Sequence, residues 1–208
     1  MLTEFEREVA ISIIESLVEY GLTDNLGQSC GSYPETWFAN NGLDAMGFWA
    51  AGGMTKICIG HYDLANWVIK VGYRDHSACD YAALEYTNYC LAEEAGLAFY
   101  FPKMVYLGKF AEVPFYLQQM AECYEDQVTS DWYDRLYDLY EESEEEYDNS
   151  DLWDEIYNMD DDAKVYLSFH DNELVEFLHK HHINDLHEGN FGYIGDRMVI
   201  VDFSGWRG

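Results

Sequence analysis

Asp185, Asn190 and Asp202 are the residues of this chain best suited to act on a ligand together. They lie in one stretch, H-H-I-N-D-L-H-E-G-N-F-G-Y-I-G-D-R-M-V-I-V-D-F-S-G, which runs from His181 to Gly205. Asn190 follows Asp185 by five residues, and Asp202 follows Asn190 by twelve. Oxygen side chains suit a hard divalent cation, and magnesium uses one or two protein oxygens together with waters and substrate phosphates. Something must bring Asn190 and Asp202 together. The residues between them predict a hairpin: an apolar-rich run from Phe191 to Ile194, a Gly195-Asp196 turn pair, and a second apolar run from Met198 to Val201. A hairpin there folds Asp202 back towards Asn190.

A second group of residues could hold an anion. Three strands are expected between Asp44 and Val71: Met46 to Trp49, Ile57 to Gly60, and W-V-I-K-V-G over residues 67–72. A-A-G-G-M-T-K, residues 50–56, joins the first two. A strand, a glycine turn and a strand allow backbone amides to approach phosphates, although any hairpin can use a pair such as Gly52-Gly53. Lys70 stands in an apolar strand among Val68, Ile69 and Val71. A lysine so placed either snorkels to solvent or is aimed at an anion. Residues 78–95 then read as a helix with Tyr81, Leu84, Glu85, Asn88, Tyr89 and Ala92 on one side and Gly96 at its end. Strands from Phe99 to Phe110 and from Val113 to Met120, joined by Ala111-Glu112, complete a set of five.

D-L-H-E-G-N followed by D-F-S-G resembles the catalytic loop and metal-binding triplet of the protein-kinase-like superfamily, and most closely its small-molecule and atypical members. W-V-I-K resembles the lysine strand of the same family, and Lys70 follows Gly52 by 18 residues, a comparable spacing. The resemblance covers residues 44–205, with its sharp motifs at 67–72 and 183–205. It implies a two-lobed α+β fold, with an N-lobe of a five-stranded antiparallel sheet plus a helix and a truncated, mostly helical C-lobe carrying the short metal-binding hairpin. The corresponding divisions are a helical extension at 1–43, an N-lobe at 44–121 and an acidic C-lobe at 122–208. It also implies an ATP- and magnesium-dependent phosphotransferase. In that scheme Asp185 handles the proton of the attacking hydroxyl, Lys70 pairs with the phosphates, and Asn190 and Asp202 hold the metal. Glu85 orients Lys70, with Glu93 and Glu94 as rivals. Gly52, Gly53, Thr55 and Lys56 of the glycine loop join Lys70 in binding the nucleotide. Gln118 to Cys123 links the lobes, and its backbone at Met120 and Glu122 meets the adenine edge.

Departures from the family pattern are also visible. Ile183-Asn184 replaces the His-Arg that precedes the catalytic aspartate in regulated kinases, so control by a phosphorylated activation loop is not expected. Ser204 stands where the triplet has glycine, with Gly205 next. Six residues follow Asp202, so no activation segment or platform for a protein substrate is expected. Minimal kinase-like proteins of this sort resemble those of phages and mobile elements. The missing platform motivates a second reading, a kinase-like module that binds nucleotide or a partner without transfer.

Composition narrows the classes further. The chain has 208 residues, 49% of them hydrophobic, enough for one large domain or two small lobes that bury ~70% of the unfolded surface. A net charge of -29 argues against nucleic acid, which needs a basic footprint, and against an anionic membrane. It suits a basic partner. The acid is segregated: residues 122–162 hold 18 of the 40 acidic side chains and one base, Arg135, whereas residues 44–112 hold five bases against eight acids. Within the acidic stretch Tyr133, Leu136, Tyr137 and Tyr140 predict a helix near 130–146. Solubility accounts for such a surface; a third reading makes it a mimic of DNA phosphates that occupies a basic protein. The five cysteines (Cys30, Cys58, Cys79, Cys90 and Cys123) are scattered and form no C-x-x-C pair, which suits reduced thiols in a cytoplasmic protein. No signal peptide and no apolar run long enough to span a membrane are expected.

Two more helices complete the reading. Residues 3–20 carry Phe5, Val9, Ile13 and Leu17 at intervals of four, widened by Ile14 and Val18, with Thr3 and Glu6 as a capping box and Gly21 at the end. Asp171 to His181, through Leu174, Phe177 and Leu178, delivers the chain to the catalytic loop. Five of the seven histidines fall at positions 170–187, but without H-E-x-x-H or a nearby cysteine they do not form a zinc pattern. His187 is expected to order its loop.

Overall fold

The structure is a computed structural model and describes residues 2–26, 33–73, 80–123, 134, 136 and 171–205. They form an α+β protein with a five-stranded antiparallel sheet and several helices. The chain divides into two compact units, Met1–Cys90 with Lys103–Met120 and Leu91–Pro102 with Ala121–Gly208. No helix among the described residues is long and apolar enough to cross a membrane.

In the first unit, helix α1 (Glu4–Glu19) starts at Thr3, whose hydroxyl accepts from Glu6 N at 3.1 Å. Glu6 Oε2 reaches back to accept from Thr3 N at 2.7 Å, completing the capping box. The Glu6 carboxyl is held below its usual range by the Thr3 backbone and side-chain bonds, with Trp67 Nε1 adding a third donor at 3.2 Å. The buried stripe is Ala10, Ile13, Ile14 and Leu17, not the series that begins at Phe5. Phe5 is 72% exposed. Steps of four advance about 400° around a helix of 3.6 residues per turn, so a strict every-four series drifts off the buried face within three turns. Helices α2 (Leu22–Asn25) and α3 (Tyr33–Asn40) follow.

Strands β1 (Phe48–Gly52), β2 (Lys56–His61), β3 (Trp67–Gly72), β4 (Met104–Phe110) and β5 (Val113–Gln119) form the sheet in the order β1-β2-β3-β5-β4, with every neighbouring pair antiparallel. Two boundaries differ from the sequence reading. Strand β1 begins at Phe48, because Asp44–Met46 is a 3-10 turn closed by Gly47 at φ +99. The Tyr62 ring fills the space a Cβ would need at Gly47. Strand β4 begins at Met104, because Ala98–Tyr100 is another 3-10 turn and Pro102, lacking an N–H, cannot donate to a ladder.

Alternation gives the sheet two unlike faces. One carries Phe48, Ile57, Ile59, Ile69, Val71, Phe115 and Leu117 and shares a core with α1 and with Leu22, Phe38 and Leu43. The register puts Lys56, Cys58, Lys70, Gly72, Tyr116 and Gln118 on the other. Helix α4 (Tyr81–Ala95) lies on that second face, held there by Glu85 on Lys70 and by Tyr86 against the rings of Tyr116 and Tyr106. Asp80 caps it, with Oδ1 accepting from Ala82 N at 3.0 Å and Ala83 N at 3.1 Å. That same oxygen lies 2.5 Å from where a Cβ would stand on Gly72, so only glycine at the end of β3 admits the cap.

The β4–β5 loop is Ala111 at φ +47 and Glu112 at φ +64. Both are left-handed, as a two-residue type I′ loop requires, and each non-glycine residue there costs roughly 1 kcal/mol. The double substitution Ala111→Asn with Glu112→Gly is expected to stabilise the protein by about 1–2 kcal/mol. A higher urea midpoint at unchanged slope would show it; an unchanged midpoint would mean that the loop carries no such strain.

The second unit contains helix α5 (Asp171–Lys180) and the hairpin β6 (Phe191–Ile194) with β7 (Arg197–Ile200). Leu174, Val175, Phe177 and Leu178 of α5 are buried. Phe101 packs on Phe203 and Phe177, with ring centroids at 4.8 and 5.9 Å. Arg197 lies over Phe99 at 5.1 Å and donates to its carbonyl at 2.6 Å. Of the helix expected near 130–146, Asp134 and Leu136 are helical; the rest lies outside the described residues, as do most of the acidic stretch, Cys30, Cys79 and His170.

Candidate functional site

In the first unit, β3 presents Lys70 and α4 presents Glu85 to the same point. Lys70 Nζ donates to Glu85 Oε1 at 2.7 Å. Glu85 has no solvent exposure and Lys70 is 6% exposed. Charged side chains are almost never so buried unless paired. Glu93 and Glu94 are exposed on the last turn of the helix, so Glu85 is the one of the three glutamates set against Lys70. Lys56, also buried, approaches the other carboxylate oxygen, with Nζ 3.7 Å from Oε2.

Tyr116 stands directly across the β3–β5 ladder from Lys70. Burial first, then the charge of Asp80 and the neighbouring Tyr106 and Tyr86, push its phenol well above the usual range. It is therefore a neutral neighbour, not a counterion.

The glycine loop ends in a turn in which Gly53 N donates to Lys56 O at 3.0 Å. A Cβ on Gly53 would meet only that carbonyl, at an ordinary 3.5 Å, so the surrounding fold does not demand glycine there. Thr55 is nearly buried, and its carbonyl accepts from Tyr73 N at 3.0 Å.

In the second unit, the run from Asp185 to Ser204 has a specific internal order. Asn190 is buried, and its Nδ2 donates to the Asp185 carbonyl at 2.7 Å. With the amide nitrogen committed there, Oδ1 is the end left for a cation. Asn190 N donates to His187 O at 2.8 Å, so His187 orders the loop through its carbonyl. Val201 N donates to Asn190 O at 2.8 Å. This adds a rung to the β6–β7 ladder and puts Asp202 one residue past it. Asp202 Oδ1 accepts from the Ser204 hydroxyl at 3.1 Å. Gly205, at φ +70, lies against the His182 carbonyl where no Cβ fits. The backbone thus needs glycine at 205, and the Ser204 hydroxyl orients the Asp202 carboxylate.

A magnesium ion suits these donors: one carboxylate and one amide oxygen are hard ligands, and two protein ligands suffice where phosphates and water supply the rest. Among the described residues no three His, Cys, Asp or Glu side chains gather as a metal cluster. No protein-family model, curated protein or solved structure matches the chain. Roles for these residues therefore rest on their geometry and on the resemblance of their motifs.

The linker is pinned by backbone bonds at two points. Glu122 N and O both pair with Tyr193, each at 2.8 Å, as an isolated antiparallel bridge. Met120 N donates to Asn66 O at 2.9 Å. The amides of Met120 and Glu122 are thus committed inside the protein. Gly192 allows the bridge, since a Cβ there would come within 2.9 Å of Glu122 O.

Three neighbours of these residues make contacts that the sequence reading did not assign. Lys56 was expected in the glycine loop but not at Glu85, because only the β2–β3 register brings it there. Asp80 signals its role locally, as an Asx residue just before a helix. Ser204 is also locally legible, as a hydroxyl two residues after an aspartate. Cys58, Cys90 and Cys123 stand outside any disulfide.

Proposed function

We propose that the chain is an ATP- and magnesium-dependent phosphotransferase of protein-kinase-like fold acting on an acceptor hydroxyl. The observation that carries this reading is the buried Lys70–Glu85 pair at 2.7 Å, between the strand and the helix that the family resemblance implies. Further support comes from the Asn190 amide fixed to the Asp185 carbonyl and from a Gly53 that its own fold does not require.

In this reading Glu85 holds Lys70 extended and the Lys70 ammonium binds nucleotide phosphates, while the resemblance gives Asn190 and Asp202 the metal. Magnesium, when bound, neutralises phosphate charge that a protein of net charge -29 would otherwise repel. Asp185, which is exposed, accepts the proton of the acceptor hydroxyl as its oxygen bonds to the γ-phosphorus. The bond to the β-phosphate oxygen breaks, and ADP leaves with the electron pair.

Calorimetry with ATP should therefore show binding that requires magnesium. Asp185→Asn should keep that binding and lose turnover by about 10²–10⁴-fold. Magnesium-independent binding, or full turnover in the variant, would remove the assignment. The committed Met120 and Glu122 amides favour a second reading, an interaction module of kinase-like fold without transfer. Magnesium-dependent ATP binding with no phosphoryl transfer to protein, sugar or aminoglycoside acceptors would support that one.

A further inference from the structure

Four large apolar side chains stay exposed at the open end of the β1–β2 hairpin: Tyr20, Met46, Trp49 and Tyr62, the last of them 71% exposed. Contacts and register bring them there. The Tyr20 hydroxyl donates to Met46 Sδ at 3.3 Å, and α1 packs against the 3-10 turn Tyr62–Leu64. The Tyr62 ring occupies the Cβ space of Gly47, the residue after Met46. The Trp49 ring occupies the Cβ space of Gly60, its partner across the β1–β2 ladder. Each ring is thus seated on backbone and still open to solvent. A side chain already held in this way loses little freedom when a partner covers it.

The surroundings are acidic. Glu19 adjoins Tyr20, Asp63 adjoins Tyr62, and Asp44 stands two residues before Met46; all three are exposed. Segments 15–26 and 41–66 contain one Lys or Arg, Lys56, and it is buried. Glu19 lies in the last turn of α1 with no base beside it, where a carboxylate opposes the helix dipole, so helix stability does not account for it. We propose that this patch docks a segment of a partner protein in which lysine or arginine alternates with apolar anchors. Tyrosine, tryptophan and methionine are the residues that anchor interfaces. A lysine or arginine can lie over an aromatic face and reach a rim carboxylate together. A second copy would set acidic rim on acidic rim at a net charge of -29 each, and lipid or nucleic-acid surfaces of the same sign are repelled likewise. The surface is separate from the acidic stretch at 122–162, and its apolar centre asks for more than positive charge.

The test uses the full chain and three synthetic probes: an amphipathic leucine–lysine peptide, its leucine–glutamate counterpart, and oligolysine of the same charge. The leucine–lysine peptide should bind, the glutamate peptide should not, and oligolysine should bind more weakly. Tyr62→Ala should weaken the leucine–lysine peptide by about tenfold to a hundredfold. Asp44→Asn with Asp63→Asn should weaken it by roughly threefold to tenfold at low salt and flatten its salt dependence. In the unsubstituted protein the Met46 methyl resonance should shift on titration, a readout that does not depend on a variant folding. Unchanged affinity in Tyr62→Ala with an unmoved Met46 methyl would assign the binding to charge elsewhere and overturn the proposal. Absence of leucine–lysine binding at millimolar concentration overturns it too. A dimer in sedimentation that Tyr62→Ala disperses would give the patch to a second copy instead, and would also overturn it.

Discussion

Glu85→Gln is expected to destabilise this protein more than loss of either lysine that Glu85 holds. The carboxylate is fully buried and serves two ammonium groups that are themselves almost fully buried. Removing one partner of a buried ion pair costs about 3–5 kcal/mol, because a charge is left in the interior with less to compensate it. In Glu85→Gln both lysines lose the carboxylate they approach, and a loss of that size is a large part of a total stability of roughly 5–15 kcal/mol. In Lys70→Met the carboxylate keeps Lys56, and in Lys56→Met it keeps Lys70, so each lysine variant should lose about 1–3 kcal/mol. Replacing these three side chains, as Lys56→Met, Lys70→Met and Glu85→Leu together, should restore part of the loss, since apolar groups of similar volume are often neutral or stabilising in place of buried charges. Urea unfolding of the five proteins measures this. A Glu85→Gln midpoint no lower than that of Lys70→Met would show that the carboxylate is not the shared anion.

How legible was that cluster in the sequence? Lys70 was visible because it interrupts an apolar strand, and Glu85 because it shares a helix side with Tyr81, Asn88 and Tyr89. Both signals are local periodicities. The place of Lys56 depends on which residue of β2 faces which residue of β3, and the 3-10 turn at Tyr62–Leu64 sets that register over a longer span. Long-range pairing likewise hid the bridge from Glu122 to Tyr193, two residues far apart in the chain. Short-range chemistry was the easier part. Thr3 with Glu6 announced the start of α1, and Gly195-Asp196 with its flanking apolar runs announced the β6–β7 hairpin. Where a local reading failed, a tertiary contact had won. The Tyr62 ring over Gly47 helps to set where β1 begins, and the burial of Phe101 against Phe203 and Phe177 takes residues 99–101 out of the strand expected from their apolar character.

Gly205→Ala should be the most damaging of the glycine substitutions between Asp185 and Gly205, and a second glycine provides its control. Gly205 has φ +70 and Gly42 has φ +68, so both place an alanine in the same unfavourable conformation, at a cost of roughly 1 kcal/mol. Nothing lies within 4 Å of a Cβ on Gly42, and Gly42→Ala should show that conformational cost alone. A Cβ on Gly205 would overlap the His182 carbonyl oxygen, with the carbonyl carbon at 2.8 Å and Ile183 Cα at 3.1 Å. These are backbone atoms and cannot rotate aside. His182 is itself left-handed, at φ +56, which limits how far that segment can yield. The expected total for Gly205→Ala is on the order of 3 kcal/mol or more. Because Gly205 is three residues from Asp202 and next to the serine that orients it, magnesium-dependent ATP binding should weaken in the fraction that still folds. Equal losses in Gly205→Ala and Gly42→Ala would mean that His182 does not press on Gly205, and the account of why glycine follows Ser204 would go with it.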